Sequence, residues 1–128
     1  MSPRTILVVD DSRWVAGGLD SLLGPFGYRV VHAPNGGAAL TVAQATRPDL
    51  VIADVKRRVF KTIGVIRELR RDPHLRKIPA ILWSAVYQPH EIKSFADDCE
   101  PFTARKKFDR PDELLSLVES LMRGYGCT

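Results

Sequence analysis

Side chains able to do chemistry stand at four places along this chain. Asp10 and Asp11 follow directly on the apolar run Ile6-Leu7-Val8-Val9, and Asp54 follows Leu50-Val51-Ile52-Ala53. Ser84 closes the run Ile81-Leu82-Trp83, and Lys106 ends the run Phe102-Thr103-Ala104-Arg105. An Asp after a strand is usually a helix cap, so each of these residues alone says little. Together, at the ends of four strands, they describe a nest of three carboxylates, one hydroxyl and one ammonium. Carboxylates a few ångströms apart repel one another unless a cation is present. Hard oxygen donors suit Mg2+, which is typically held by a few carboxylates together with a phosphate. The chemistry indicated is phosphoryl transfer, with Asp54 as nucleophile. Lys106 and the metal would neutralise oxygens of the transferred group, and Ser84 would donate a hydrogen bond to another.

Such a nest needs strands that end side by side. Short runs rich in Val, Ile and Leu alternate with longer segments of helical period, the pattern of a parallel sheet covered on both faces. Strands are expected at 5–9, 28–32, 50–53, 78–83 and, more weakly, 102–106. Helices are expected at 13–23, from Asn35 through Ala45, at 60–71, 89–97 and 112–122. Ser12 and Asn35 suit N-cap positions, Gly24-Pro25 and Pro48 end helices, and Pro111 with Asp112 and Glu113 suits a helix start. The class is α/β, a doubly wound (βα)5 domain. In such sheets ligands sit beyond the carboxyl ends of the strands, where the winding direction reverses.

Length and composition agree with one domain. The 128 residues divide into an expected core at 5–122 and a short tail at 123–128. Apolar residues make up 45% and charged residues 27%, which excludes a disordered or collagen-like chain. The longest apolar run, residues 6–9, is far short of the ~20 residues that cross a bilayer. Two cysteines, Cys99 and Cys127, and the lack of a secretory leader pattern make a cytoplasmic protein the expectation. Net charge is +4, and the excess is concentrated between Asp54 and Lys77, where nine basic side chains face three acidic ones. That stripe lacks aromatics beyond Phe60, so a solvated helix face is expected and nucleic acid is not the expected partner.

From about Thr5 to Met122 the chain resembles the response regulator receiver domain of bacterial two-component signalling. Val8-Val9-Asp10-Asp11-Ser12 is similar to the family's acidic metal-binding motif, and Pro48-Asp49-Leu50-Val51-Ile52-Ala53-Asp54-Val55 to the strand that leads to its phospho-acceptor. Ile81-Leu82-Trp83-Ser84-Ala85 is similar to its hydroxyl-plus-small-residue motif, and Lys106 with Phe108-Asp109 to its lysine segment. Asp54, Ser84 and Lys106 also stand at the family's intervals. The resemblance implies a flavodoxin-like sheet in the order 2-1-3-4-5, and Mg2+ held by Asp10, Asp11, Asp54 and the backbone carbonyl of Lys56. It implies a phosphoprotein switch, not a turnover enzyme, that catalyses only its own phosphoryl transfer and slow dephosphorylation. The implied partners are a sensor histidine kinase or histidine phosphotransfer protein, and a downstream protein reading the fourth helix, fifth strand and last helix. A monomer or weak homodimer without membrane contact is expected, its output passing through a partner. The alternative is a receiver-like interaction module that works without phosphorylation. A hydrolase with a nucleophile on the first strand is opposed by Ser12, which stands where a second acid would be needed, and no Gly-rich loop favours a nucleotide binder.

Three departures from the family pattern matter. The stretch after Asp54, Val55-Lys56-Arg57-Arg58-Val59-Phe60-Lys61-Thr62, has four cations and neither proline nor glycine. Lys107 replaces the proline, usually cis, that follows the family's lysine, so Lys106 either carries a costly cis bond or reaches the site along a trans chain. Arg105 and Lys107 are the neighbouring alternatives for its role. Thr103 occupies the aromatic switch position, with Phe102 facing the other side of the sheet. Trp14 is expected to pack inward; exposed, it would be a partner contact beside the acidic pocket.

Overall fold

A computed structural model describes residues 4–56, 59–108 and 110–126. Arg57 and Arg58 of the basic loop, Asp109 of the lysine segment and Cys127 lie outside the described residues. Strands β1 (Thr5–Val9), β2 (Arg29–Ala33), β3 (Leu50–Asp54), β4 (Ala80–Ser84) and β5 (Phe102–Lys106) alternate with helices α1 (Arg13–Leu23), α2 (Gly36–Thr46), α3 (Val59–Arg71), α4 (Pro89–Phe95) and α5 (Pro111–Gly126). A single 3-10 turn, Gly24–Phe26, follows α1. The strands form one parallel sheet in the order β2-β1-β3-β4-β5, as the resemblance implied. No helix among the described residues is long and apolar enough to cross a membrane.

Alternation along the strands divides the core in two. Ile6, Val8, Leu50, Ile52, Ile81 and Trp83 pack with Leu19 of α1 and with Leu114 and Val118 of α5. Leu7, Val9, Val51, Ala53, Leu82 and Ala104 point to the opposite face, against Ala39 and Ala43 of α2, Ile63 and Ile66 of α3 and Ile92 of α4. Both faces of the central strands are buried, which explains why β1, β3 and β4 read as unbroken apolar runs. At Gly36 a Cβ would come within 2.5 Å of the Val65 side chain, so a glycine lets α2 approach α3 here.

Local signals fixed most boundaries. Ser12 accepts a hydrogen bond from Val15 N and Asn35 one from Ala38 N, so both caps act where expected. β4 begins two residues later than its apolar run: Pro79 has no N–H for the ladder, and Ile78 N donates back to Leu75 O in a turn. Strand β2 is displaced by one residue, α4 stops at Phe95 and α5 runs on to Gly126. Trp14 is 86% exposed, which corrects the inward-packed expectation. The helix turns its Ala16 and Leu19 to the sheet instead, and Trp14 falls outside that stripe.

Candidate functional site

The carboxyl ends of β1, β3 and β4 and the turn after β5 meet at a cleft of about 600 Å³, lined by Asp10, Asp11, Asp54, Lys56, Ala85 and Lys107, among others. Asp10 is fixed from several sides. Its N–H donates to Ala33 O at 3.1 Å, extending the ladder one step beyond β1. Its Oδ1 accepts from Ser12 N at 2.9 Å, while His32 Nε2 lies 2.6 Å from its carbonyl oxygen. Since a carbonyl can only accept, that contact requires the Nε2–H form of His32. Asp54 is the last residue of β3, with its carbonyl accepting from Thr62 Oγ1 at 2.7 Å.

One ammonium serves both buried carboxylates, and it belongs to Lys107. Its Nζ donates to Asp10 Oδ2 at 2.8 Å and lies 3.0 Å from Asp54 Oδ2. The Lys107 side chain is only 7% exposed, and the Asp10 and Asp54 side chains 0% and 4%. Phe108, turned by a φ of 61°, sets its ring 5.1 Å from this Nζ and 6.0 Å from the Trp83 ring. Lys106 is exposed and none of the described ion pairs joins it to a carboxylate, so the expectation that it supplies the ammonium is corrected. The reason is the alternation of the sheet. Lys106 pairs in register with Ser84 and shares its parity, whereas Asp54 pairs with Trp83 on the α1/α5 side. Lys107 N donates to Ser84 O at 2.9 Å, continuing the ladder by one residue and restoring the parity of Asp54. Among the described residues the cis peptide is Glu100–Pro101, and the Lys106–Lys107 bond is not cis.

Asp11 stands apart at the exposed rim, where it accepts a hydrogen bond from Lys56 Nζ. The same Nζ lies 3.7 Å from Asp54 Oδ2, so Lys56 bridges the outer and inner carboxylates. The hydrogen bond from Lys56 is the main reason the Asp11 carboxyl is held below its ordinary pKa, and it holds the Lys56 ammonium above its own. Asp54 goes the other way: burial raises its pKa, against the opposing pull of Lys107 and Lys56. Ser84 is occupied in holding loops together. Its Oγ donates to Val55 O and accepts from Val86 N at 3.0 Å and Tyr87 N at 2.9 Å. The structure thus brings Asp10, Asp54 and Lys107 into direct contact, links Asp11 to them through Lys56, and leaves Lys106 in solvent.

By donor type the carboxylates suit Mg2+, and the buried Asp54 Oδ2, paired with Lys107 at 3.0 Å and facing Lys56 at 3.7 Å, is an oxygen that already draws positive charge. No three His, Cys, Asp or Glu side chains among the described residues are gathered as a metal centre, and the ammoniums of Lys56 and Lys107 engage the site's carboxylate oxygens.

A family model for the response regulator receiver domain matches residues 6–119. This chain belongs to that family. The receiver domain is 33% identical to a probable transcriptional regulator, ycf27, of Cyanophora paradoxa, with 96% of this chain and 50% of that protein covered. It is 32% identical to the transcriptional regulatory protein PrrA of Mycobacterium leprae, covering 99% of this chain and 53% of that one. The chain therefore spans about half the length of these curated relatives. Among solved structures, the signal receiver domain of a signal transduction histidine kinase from Syntrophus aciditrophicus superposes with a TM-score of 0.82 at 32% identity, covering 98% of this chain and 94% of that one. The chemotaxis protein CheY4 of Vibrio cholerae, at 24% identity and a TM-score of 0.83 over 93% of this chain and 98% of that one, shares the fold.

Proposed function

We propose that this receiver domain is a phospho-acceptor switch of a two-component system, with Asp54 as the acceptor. The observation that supports this most is the Lys107 ammonium set between the buried carboxylates of Asp10 and Asp54. An Asp54 oxygen bonds to the phosphorus of a phosphohistidine on a sensor kinase or phosphotransfer protein. The phosphorus–nitrogen bond breaks, its electron pair stays on the imidazole, and that nitrogen is protonated from solvent. Lys107 neutralises an oxygen of the transferred group, the role first assigned to Lys106. Mg2+, when held by Asp10, Asp11, Asp54 and the Lys56 carbonyl, supplies further positive charge to the phosphoryl oxygens. The domain catalyses only this transfer onto itself and the slow loss of the group, and it acts in the cytoplasm.

The acyl phosphate adds about −1.5 to −2 charges by analogy with other phosphorylated side chains. Ser84 would leave Val55 O to donate to it, drawing the loop before α4 and biasing the α4-β5-α5 surface toward a partner. Carrying a two-state element from 1:99 to 99:1 needs ~5.5 kcal/mol of differential interaction, within reach of a dianion facing a lysine and a metal. Incubation with acetyl phosphate and Mg2+, read by intact mass, tests the proposal. The chain is expected to gain one phosphoryl group and Asp54→Asn none. The pre-existing neutralisation of all three carboxylates by lysines favours a second reading, an interaction module that needs no phosphate, and an unmodified wild-type mass would select it.

A further inference from the structure

The two lysines of the site hold their carboxylates in unlike ways. Lys107 is enclosed between two buried groups. Lys56 is half exposed, reaching from the residue pair after β3 to an Asp11 side chain that is 66% exposed. Its Nζ also faces Asp54 Oδ2 at 3.7 Å, the buried oxygen that the Lys107 ammonium holds at 3.0 Å. The Lys56 ammonium therefore stands between Asp11 and Asp54, where a divalent cation shared by those two carboxylates would draw on both.

We propose that Lys56 is a tethered counter-ion that competes with the divalent cation, occupying Asp11 when no metal is bound and leaving it when metal binds. This rests on the Mg2+-dependent reading above. An ammonium and a divalent cation sharing the same carboxylates repel each other, and both draw on the same oxygen lone pairs. The long stem of Lys56 lets the head swing into water while its methylenes stay against the cleft wall. An exposed ion pair of this kind shifts an equilibrium by up to roughly fivefold, weak enough for a metal to displace and strong enough to measure. Lys107 has no such freedom, because moving it would strand Asp10 and Asp54 together in the interior.

Isothermal titration of the whole chain with Mg2+, with no phosphodonor present, reads the competition directly. Lys56→Gln is expected to bind Mg2+ roughly three- to tenfold more tightly than wild type, combining the lost pair with the lost repulsion. Lys56→Arg keeps the charge and is expected to stay near the wild-type affinity. Lys77→Gln removes the same charge from an exposed position outside the cleft and is also expected to stay near it. Equal affinity in wild type and Lys56→Gln overturns the competition while leaving metal-assisted phosphorylation intact. An equal gain in Lys77→Gln also overturns it, assigning the effect to net charge. Absence of Mg2+ binding by every variant at millimolar concentrations overturns the metal reading itself, and the competition with it.

Discussion

Asp10 and Asp54 are almost wholly buried and share the Lys107 ammonium, so Lys107→Met leaves two carboxylates facing each other in the interior. Removing one partner of a buried pair costs about 3–5 kcal/mol. Chemical denaturation of Lys107→Met should show a loss of that order, whereas Lys106→Met, at an exposed position, should stay within about ±0.5 kcal/mol. The reverse ranking would return the ammonium role to Lys106. Asp54 carries a pH signature as well. Because burial raises its pKa, the folded chain binds that proton more tightly than the unfolded one. Its contribution to stability is full below the ordinary value of 3.8 and is lost as pH rises through the raised value. Asp54→Asn should therefore unfold at a higher temperature than wild type at neutral pH, with the margin shrinking as the solution is acidified. The mutant leaves Lys107 still hydrogen-bonded to Asp10, so no charge is orphaned. The acidic residues were legible because each ends an apolar run. Which of two adjacent lysines enters the site was not, since that depends on the parity of β5 against β4, and the run Phe102-Thr103-Ala104-Arg105 carries too little apolar alternation to fix that register.

At the scale of elements, helix caps and prolines were the reliable signals. Ser12 and Asn35 set the starts of α1 and α2, but Pro79 moved the start of β4 past Ile78, which the apolar run alone had included. Ser84 shows how elements are tied at the site: one hydroxyl joins the residue after β3 to the first turn beyond β4. Ser84→Ala leaves Val86 N and Tyr87 N without that acceptor and should destabilise the chain by about 1–3 kcal/mol, measured by denaturant midpoint. Trp14 belongs to the outer face of α1: an inward-packed tryptophan was the expectation, but the residue lies beside the amphipathic stripe, not in it. Trp14→Ala should change stability by no more than about 0.5 kcal/mol. If this face receives the phosphodonor, the same variant should slow transfer from a phosphohistidine protein while leaving acetyl phosphate labelling unchanged. Equal slowing with both donors would place the effect in the site.

Across the whole molecule, alternating strand and helix patterns were enough to anticipate five parallel strands with helices on both faces, because each βα unit buries its own apolar run. The same architecture puts the carboxyl ends of the strands at one rim, so the meeting of Asp10 and Asp54 was legible from topology, while Asp11 stands apart at the exposed edge. What the linear pattern hid was the interior charge balance, in which two lysines from loops distant in sequence meet three carboxylates. If Asp54 takes the phosphoryl group, the group can be located on the chain. After incubation with acetyl phosphate and Mg2+, borohydride reduction converts an acyl phosphate to an alcohol, which peptide mass spectrometry can place on one residue. Reduction confined to Asp54 is the expected result; reduction at Asp10 or Asp11, or at no carboxylate at all, would rule out Asp54 as the acceptor.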